Sequence, residues 1–126
     1  MKLAYVDTSC LIAIAFGEPG SPTLASRLRG FDRLFSSNLL EAEFRAALAR
    51  EAVRPDSDAL AALSWIYPNR PLTREFQRGL ATARLKGADL WHVACALFLD
   101  PATSELVFLT LDRDQRTAAA ALGFPT

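Results

Sequence analysis

Four acidic side chains stand at positions from which they could act together. Asp7 follows the apolar run Leu3-Ala4-Tyr5-Val6, and Asp112 follows Leu106-Val107-Phe108-Leu109-Thr110. If the two runs are neighbouring parallel strands, both carboxylates project at one rim, beyond the carboxyl ends of the strands, where open α/β sheets place their chemistry. Asp89 opens the stretch Ala88 to Leu99. Unpaired N–H groups and the helix dipole favour a carboxylate there, and capping alone would account for it. Glu43 lies on a helix expected from Leu39 to Val53, in register with Leu40, Phe44, Ala47 and Leu48. Glu41 is about 200° around that helix from Glu43, so the two cannot face one site. Glu43 is expected near the core and Glu41 in solvent.

Clustered carboxylates repel one another and raise each other's pKa, and a divalent cation removes the repulsion. One histidine and two cysteines cannot complete a zinc set. Oxygen donors from Asp and Glu point instead to Mg²⁺ or Mn²⁺, whose usual work is phosphate chemistry. His92 stands one helical turn from both Asp89 and Cys95. It is expected to make a structural hydrogen bond rather than to serve as general base. Cys10 and Cys95 sit in apolar runs and read as buried thiols of a reducing compartment.

The elements that must position these residues follow from local signals. A strand at Leu3–Val6 runs through the polar turn Asp7-Thr8-Ser9 into a helix over Leu11–Phe16. Gly17 to Pro22 is a loop, and a second helix starts at Ser21 or Pro22 and runs to about Gly30. Arg33–Ser37 reads as a short strand, and the Leu39–Val53 helix is stopped by Pro55. Asp56-Ser57-Asp58 caps a helix expected through Trp65, followed by a short extended piece within Tyr67–Leu72. A helix from Thr73 or Arg74 through Leu85 is broken by Gly87, and Ala88–Leu99 is the next. Leu106–Thr110 is the clearest strand, and Arg113–Leu122 is a last helix closed by Gly123. This alternation predicts an α/β fold with a parallel sheet covered by helices.

Length and composition agree with one globular domain spanning 1–126, with 51% hydrophobic and 22% charged residues. Fourteen basic and fourteen acidic side chains balance to zero, which excludes a polycation that coats nucleic acid, so any such site is a local patch. The run from Thr8 to Gly17 is too short to span a bilayer, and Asp7 interrupts what would be a signal sequence. A cytoplasmic protein with no targeting segment and no membrane contact is expected.

Val6-Asp7-Thr8-Ser9-Cys10-Leu11-Ile12 resembles the opening motif of PIN domains. Ser37-Asn38-Leu39-Leu40-Glu41-Ala42-Glu43 is similar to the second motif, with Glu43 at its acidic position. Gly87-Ala88-Asp89-Leu90-Trp91-His92-Val93-Ala94 resembles the third, and Leu109-Thr110-Leu111-Asp112-Arg113-Asp114 the fourth. The resemblance covers nearly the whole chain in order, and the size matches the VapC-type toxins. It implies a three-layer α/β/α sandwich with a mostly parallel sheet. It also implies a Mg²⁺- or Mn²⁺-dependent endoribonuclease that forms a homodimer and has a cognate antitoxin. Carried over by position, Asp7, Glu43, Asp89 and Asp112 form the acidic quartet. Thr8 and Thr110 would orient the carboxylates, and Asp114 would assist through water. Glu41 departs from the apolar or hydroxyl residue usual at its place.

Arg70, Arg74, Arg78, Arg84 and Lys86 fall in one segment with Glu75 as its only acid. Arg74, Arg78, Arg84 and Lys86 are candidate phosphate contacts; a solvated helix face is the alternative. Trp65, Tyr67, Phe76 and Trp91 could stack bases, although packing accounts for most of them, and Trp65 and Phe76 could line a surface for a second subunit or an antitoxin helix. The competing function is a catalytically silent PIN-like domain that binds RNA or protein, against which the intact quartet speaks. A dehalogenase-type phosphatase would need an aspartate where Ser9 stands. A receiver domain would need an acidic pair at the first strand end and a late lysine, and neither is visible.

Overall fold

Side chains alternate across a central sheet, and the alternation builds two cores. The computed structural model describes residues 1–54 and 57–126. Its strands are β1 (Leu3–Val6), β2 (Arg33–Ser37), β3 (Leu63–Ile66) and β4 (Leu106–Leu109), in the spatial order β3-β2-β1-β4. Every neighbouring pair is parallel. Each parallel link requires a crossover, and the helices supply them: α1 (Thr8–Ala15), α2 (Ser21–Arg29), α3 (Leu39–Arg50), α4 (Ser57–Ala61), α5 (Thr73–Leu80), α6 (Gly87–Leu99) and α7 (Arg113–Leu122).

On one face Leu3, Tyr5, Phe35, Ile66, Leu106 and Phe108 pack with α5, α6 and α7 through Phe76, Val93, Leu97 and Ala119. On the other, Ala4, Val6, Leu34, Leu63, Val107 and Leu109 pack with α1 to α4 through Cys10, Leu28, Leu40, Phe44 and Leu60. The result is the three-layer sandwich, with a sheet that is wholly parallel.

Several boundaries differ from the sequence reading. The helix expected through Trp65 ends at Ala61, and Leu63–Ile66 is a strand; no strand forms within 67–72. Pairing from Leu34↔Leu63 to Ser37↔Ile66 satisfies that backbone and buries Leu63 and Ile66. The expectations placed on Pro55 and Asp56, including the Asp56-Ser57-Asp58 cap, fall outside the described residues. Helix α3 stops at Arg50, not Val53: Ala52 turns left-handed at φ 54°, and the Val53 N–H folds back onto the Leu48 carbonyl at 2.9 Å. Helix α5 stops at Leu80, not Leu85, where the Thr82 hydroxyl and N–H both bond the Gly79 carbonyl. Gly87, expected as a breaker, is the first residue of α6.

Candidate active site

The register Val6↔Leu109, with the Asp7 N–H donating to the Leu109 carbonyl at 2.9 Å, makes β1 and β4 end level. The residues that follow them therefore leave the sheet at one rim. Asp7 becomes the N-cap of α1, its carboxylate accepting from the Ser9 N–H at 3.1 Å. Asp112 becomes the N-cap of α7, accepting from the Gln115 N–H at 2.7 Å. Asp89 lies in the first turn of α6, and Glu43 projects from α3. Together with Thr8, Ser9, Ile12, Ala46, Ala47 and Arg50, these four acids line one cleft of about 400 Å³.

Glu43 is held by two donors. The Thr8 hydroxyl reaches its Oε1 at 2.8 Å, and His92 Nε2 reaches the same oxygen at 2.8 Å. The His92 hydrogen bond, followed by that of Thr8, holds the Glu43 carboxyl below its ordinary pKa, against an opposing contribution from partial burial. His92 is itself buried, and its Nδ1 lies 2.6 Å from the Tyr5 hydroxyl, which accepts from the Ser37 N–H at 3.1 Å. Burial pushes the Tyr5 phenol well above its usual pKa, so it keeps its proton and donates to Nδ1. Nδ1 therefore accepts, and the network assigns the single ring N–H proton to Nε2, facing Glu43. His92 makes structural hydrogen bonds, as the sequence suggested.

Asp89 experiences the opposite field. Burial first, then the charges of Asp7, Asp112 and Glu43, hold its carboxyl above the ordinary pKa, with His92 opposing. The acids are thus close enough to feel one another. Among the described residues no three His, Cys, Asp or Glu side chains converge tightly enough to hold an ion as they stand. The donor set fits a hard divalent cation in kind: four carboxylates, all oxygen, on four separate elements.

Of the supporting residues, Thr8 contacts Glu43, while Thr110 Oγ1 lies 3.4 Å from Asp7 Oδ2 and donates to Gln115 Oε1. Asp114 is exposed and lines a separate depression with Arg84 and Lys86. Glu41 pairs with Arg45 on the surface at 2.7 Å. Arg74 is exposed, and Arg78 donates to the Pro101 carbonyl. Pro101 follows the far end of α6, whose last residue is roughly 15 Å along the axis from Asp89. Arg70 pairs with the buried Glu75 and stacks on Phe98. Trp65, Phe76 and Trp91 are partly buried against the cores, while Tyr67 is exposed.

Three residues of the site were missed: Tyr5, Arg50 and Gln115. Gln115 is fully buried, and its amide Nε2 donates to Asp7 Oδ1 at 3.1 Å and to the Asp89 carbonyl at 3.2 Å. The stripe Gln115, Ala118, Ala119, Leu122 is the signal that could have found it, because it sets Gln115 on the inner face of α7. Tyr5 shares the strand alternation of Leu3, which turns it into the α6 side of the sheet. Arg50 continues the Glu43, Ala46, Ala47 stripe of α3 into the cleft.

The PIN domain family model matches residues 4–121. Ribonuclease VapC45 of Mycobacterium tuberculosis (strain CDC 1551 / Oshkosh) is 36% identical over 137 aligned residues, covering 98% of this chain and 93% of the relative. Ribonuclease VapC49 of Mycobacterium tuberculosis (strain ATCC 25618 / H37Rv) is similar to the same extent, 36% over 137 residues with 98% and 93% coverage. No solved structure matches the chain. The family match takes in strands β2 to β4, all but the first residue of β1, and every acid of the cleft, and by sequence and by fold this chain belongs to the PIN domain family.

Proposed function

We propose that the protein is an endoribonuclease that hydrolyses RNA phosphodiester bonds with Mg²⁺ or Mn²⁺ and acts as the toxin of a toxin–antitoxin pair. The observation that carries this reading is the meeting of Asp7, Glu43, Asp89 and Asp112, from four elements, on one cleft. The ribonuclease names of the two relatives support it. Asp7, Asp89 and Asp112, with Glu43, would hold the cation. A divalent ion there supplies positive charge that activates water and stabilises the leaving oxygen of phosphodiester hydrolysis.

The chain's own groups do the rest. The Thr8 hydroxyl and His92 fix the Glu43 carboxylate, and the Ser9 N–H fixes Asp7. Arg50, the cationic side chain among the described cleft residues, is suited to the RNA backbone. Arg84 and Lys86, beside Asp114, extend that contact; Arg74 and Arg78 would meet only RNA that runs on past α5. The same reading includes a homodimer, a cognate antitoxin and a cytoplasmic place of action. Among the described residues no helix is long and apolar enough to cross a membrane.

The test is cleavage of a mixed cellular RNA pool by purified protein, with Mn²⁺ or Mg²⁺, with EDTA, and beside Asp89→Asn. Discrete fragments that need the metal and vanish in the variant are expected. No cleavage by folded protein freed of antitoxin would transfer the assignment to a catalytically silent RNA- or protein-binding domain.

A further inference from the structure

We propose that Gln115 is a positioning residue of the carboxylate cleft: its amide fixes the Asp7 carboxylate and locks the first turn of α6, and with it Asp89, to the ends of β1 and β4. The inference rests on the metal-dependent reading above, since it concerns how the ligand oxygens are held.

A primary amide offers two N–H donors and an acceptor oxygen. Gln115 uses all three without solvent. Nε2 donates to Asp7 Oδ1 at 3.1 Å and to the Asp89 main-chain oxygen at 3.2 Å, while Oε1 accepts from the Thr110 hydroxyl. Its main-chain N–H donates to Asp112 at 2.7 Å. One residue therefore touches three of the four acid-bearing segments. The second Asp7 oxygen is taken by the Ser9 N–H at 3.1 Å, so both carboxylate oxygens are gripped from the protein side and side-chain rotation is blocked.

Packing alone does not ask for an amide here. Gln115 lies fully buried on the stripe that continues through Ala118 and Ala119, where an apolar side chain would fill the space without the desolvation cost of a polar group. No other side chain reproduces its bonds. Asparagine has the same groups but falls one methylene short of spanning Asp7 and Asp89. Glutamate would set a carboxylate against Asp7, and methionine matches the length but has no donor.

The experiment measures Mn²⁺ affinity by titration calorimetry on wild type, Gln115→Met and Asp89→Asn, with folding followed by circular dichroism and RNA affinity measured in EDTA. Gln115→Met is expected to weaken Mn²⁺ binding about 10–100-fold, the usual effect of losing a group that orients a ligand, while RNA affinity in EDTA stays at the wild-type level. Should Gln115→Met fail to fold, Gln115→Asn decides by the same titration, with the same loss expected. Mn²⁺ affinity within twofold of wild type in a folded variant overturns the proposal, whatever happens to Tm. If wild type and Asp89→Asn alike bind no Mn²⁺, the metal-dependent reading fails and takes this inference with it.

Discussion

Asp89 and Glu43 line the same cleft, yet their ionisation affects the fold in opposite directions. The Asp89 pKa is raised above its ordinary 3.8 by burial and by neighbouring carboxylates. The folded state therefore binds its proton more tightly than the unfolded state does, and stability is lost as pH rises through the folded pKa. Asp89→Asn should raise Tm at pH 7, and the gain should vanish as pH falls below 3.8. Glu43 is lowered from 4.5, so its contribution is present above 4.5 and is lost as pH falls through the folded pKa. Glu43→Gln should melt lower than wild type at pH 7 and converge with it in acid. Thermal melts at several pH values decide both; an Asp89→Asn variant less stable than wild type at pH 7 would remove the repulsion argument. The acids themselves were legible because each ends a strand, opens a helix or sits beside an apolar stripe. Tyr5 and Gln115 were not, because a phenol and an amide at buried positions carry no local mark of the partner that satisfies them, and those partners lie 87 and 108 residues away in His92 and Asp7.

At the scale of elements, helix–strand ambiguity explains the one element read as the wrong type. Leu63-Ser64-Trp65-Ile66 is four residues long and pairs on one side only, at the end of the sheet order, so its sequence lacks the continuous apolar run that made β4 plain. The C-terminus of α7 was readable for the opposite reason, because glycine is the residue a left-handed helix end requires. Gly123 adopts φ 108°, and a Cβ there would stand 2.5 Å from the Thr103 hydroxyl oxygen, which donates to the Leu122 carbonyl. Gly123→Ala should cost about 1–2 kcal/mol in denaturant unfolding, by backbone strain and this clash, and leave metal affinity unchanged. A neutral or stabilising result would mean that the Thr103 turn yields more readily than its hydrogen bonds suggest.

For the whole molecule, on the proposed ribonuclease reading, a formal net charge of zero would leave RNA binding to local cations and make it weak and salt-dependent. If Arg50 meets the strand within the cleft, Arg50→Ala should weaken RNA binding in EDTA. It should also reduce the slope of log affinity against log salt by roughly 0.7–1, while Arg50→Lys retains the slope. An unchanged slope in Arg50→Ala would place the backbone contact elsewhere. A parallel sheet covered by helices was legible from the alternation of strands and helices, because parallel pairing leaves that pattern in the chain; the third strand was not, and the three-layer sandwich was implied by the family resemblance.

The two thiols fall one to each side of the sheet: Cys10 packs among α1 to α4, and Cys95 among the helices of the opposite layer. Burial pushes each thiol's pKa up to about 12, with the Asp7 charge adding to the effect at Cys10. Neither can react with an alkylating reagent until its own layer opens. The native chain thus carries two built-in reporters, and following each modified peptide by mass spectrometry against denaturant would time the breathing of the two halves separately. Coincident curves would mark the sandwich as one cooperative unit; separated curves would identify which layer yields first when a partner or a substrate has to be let in.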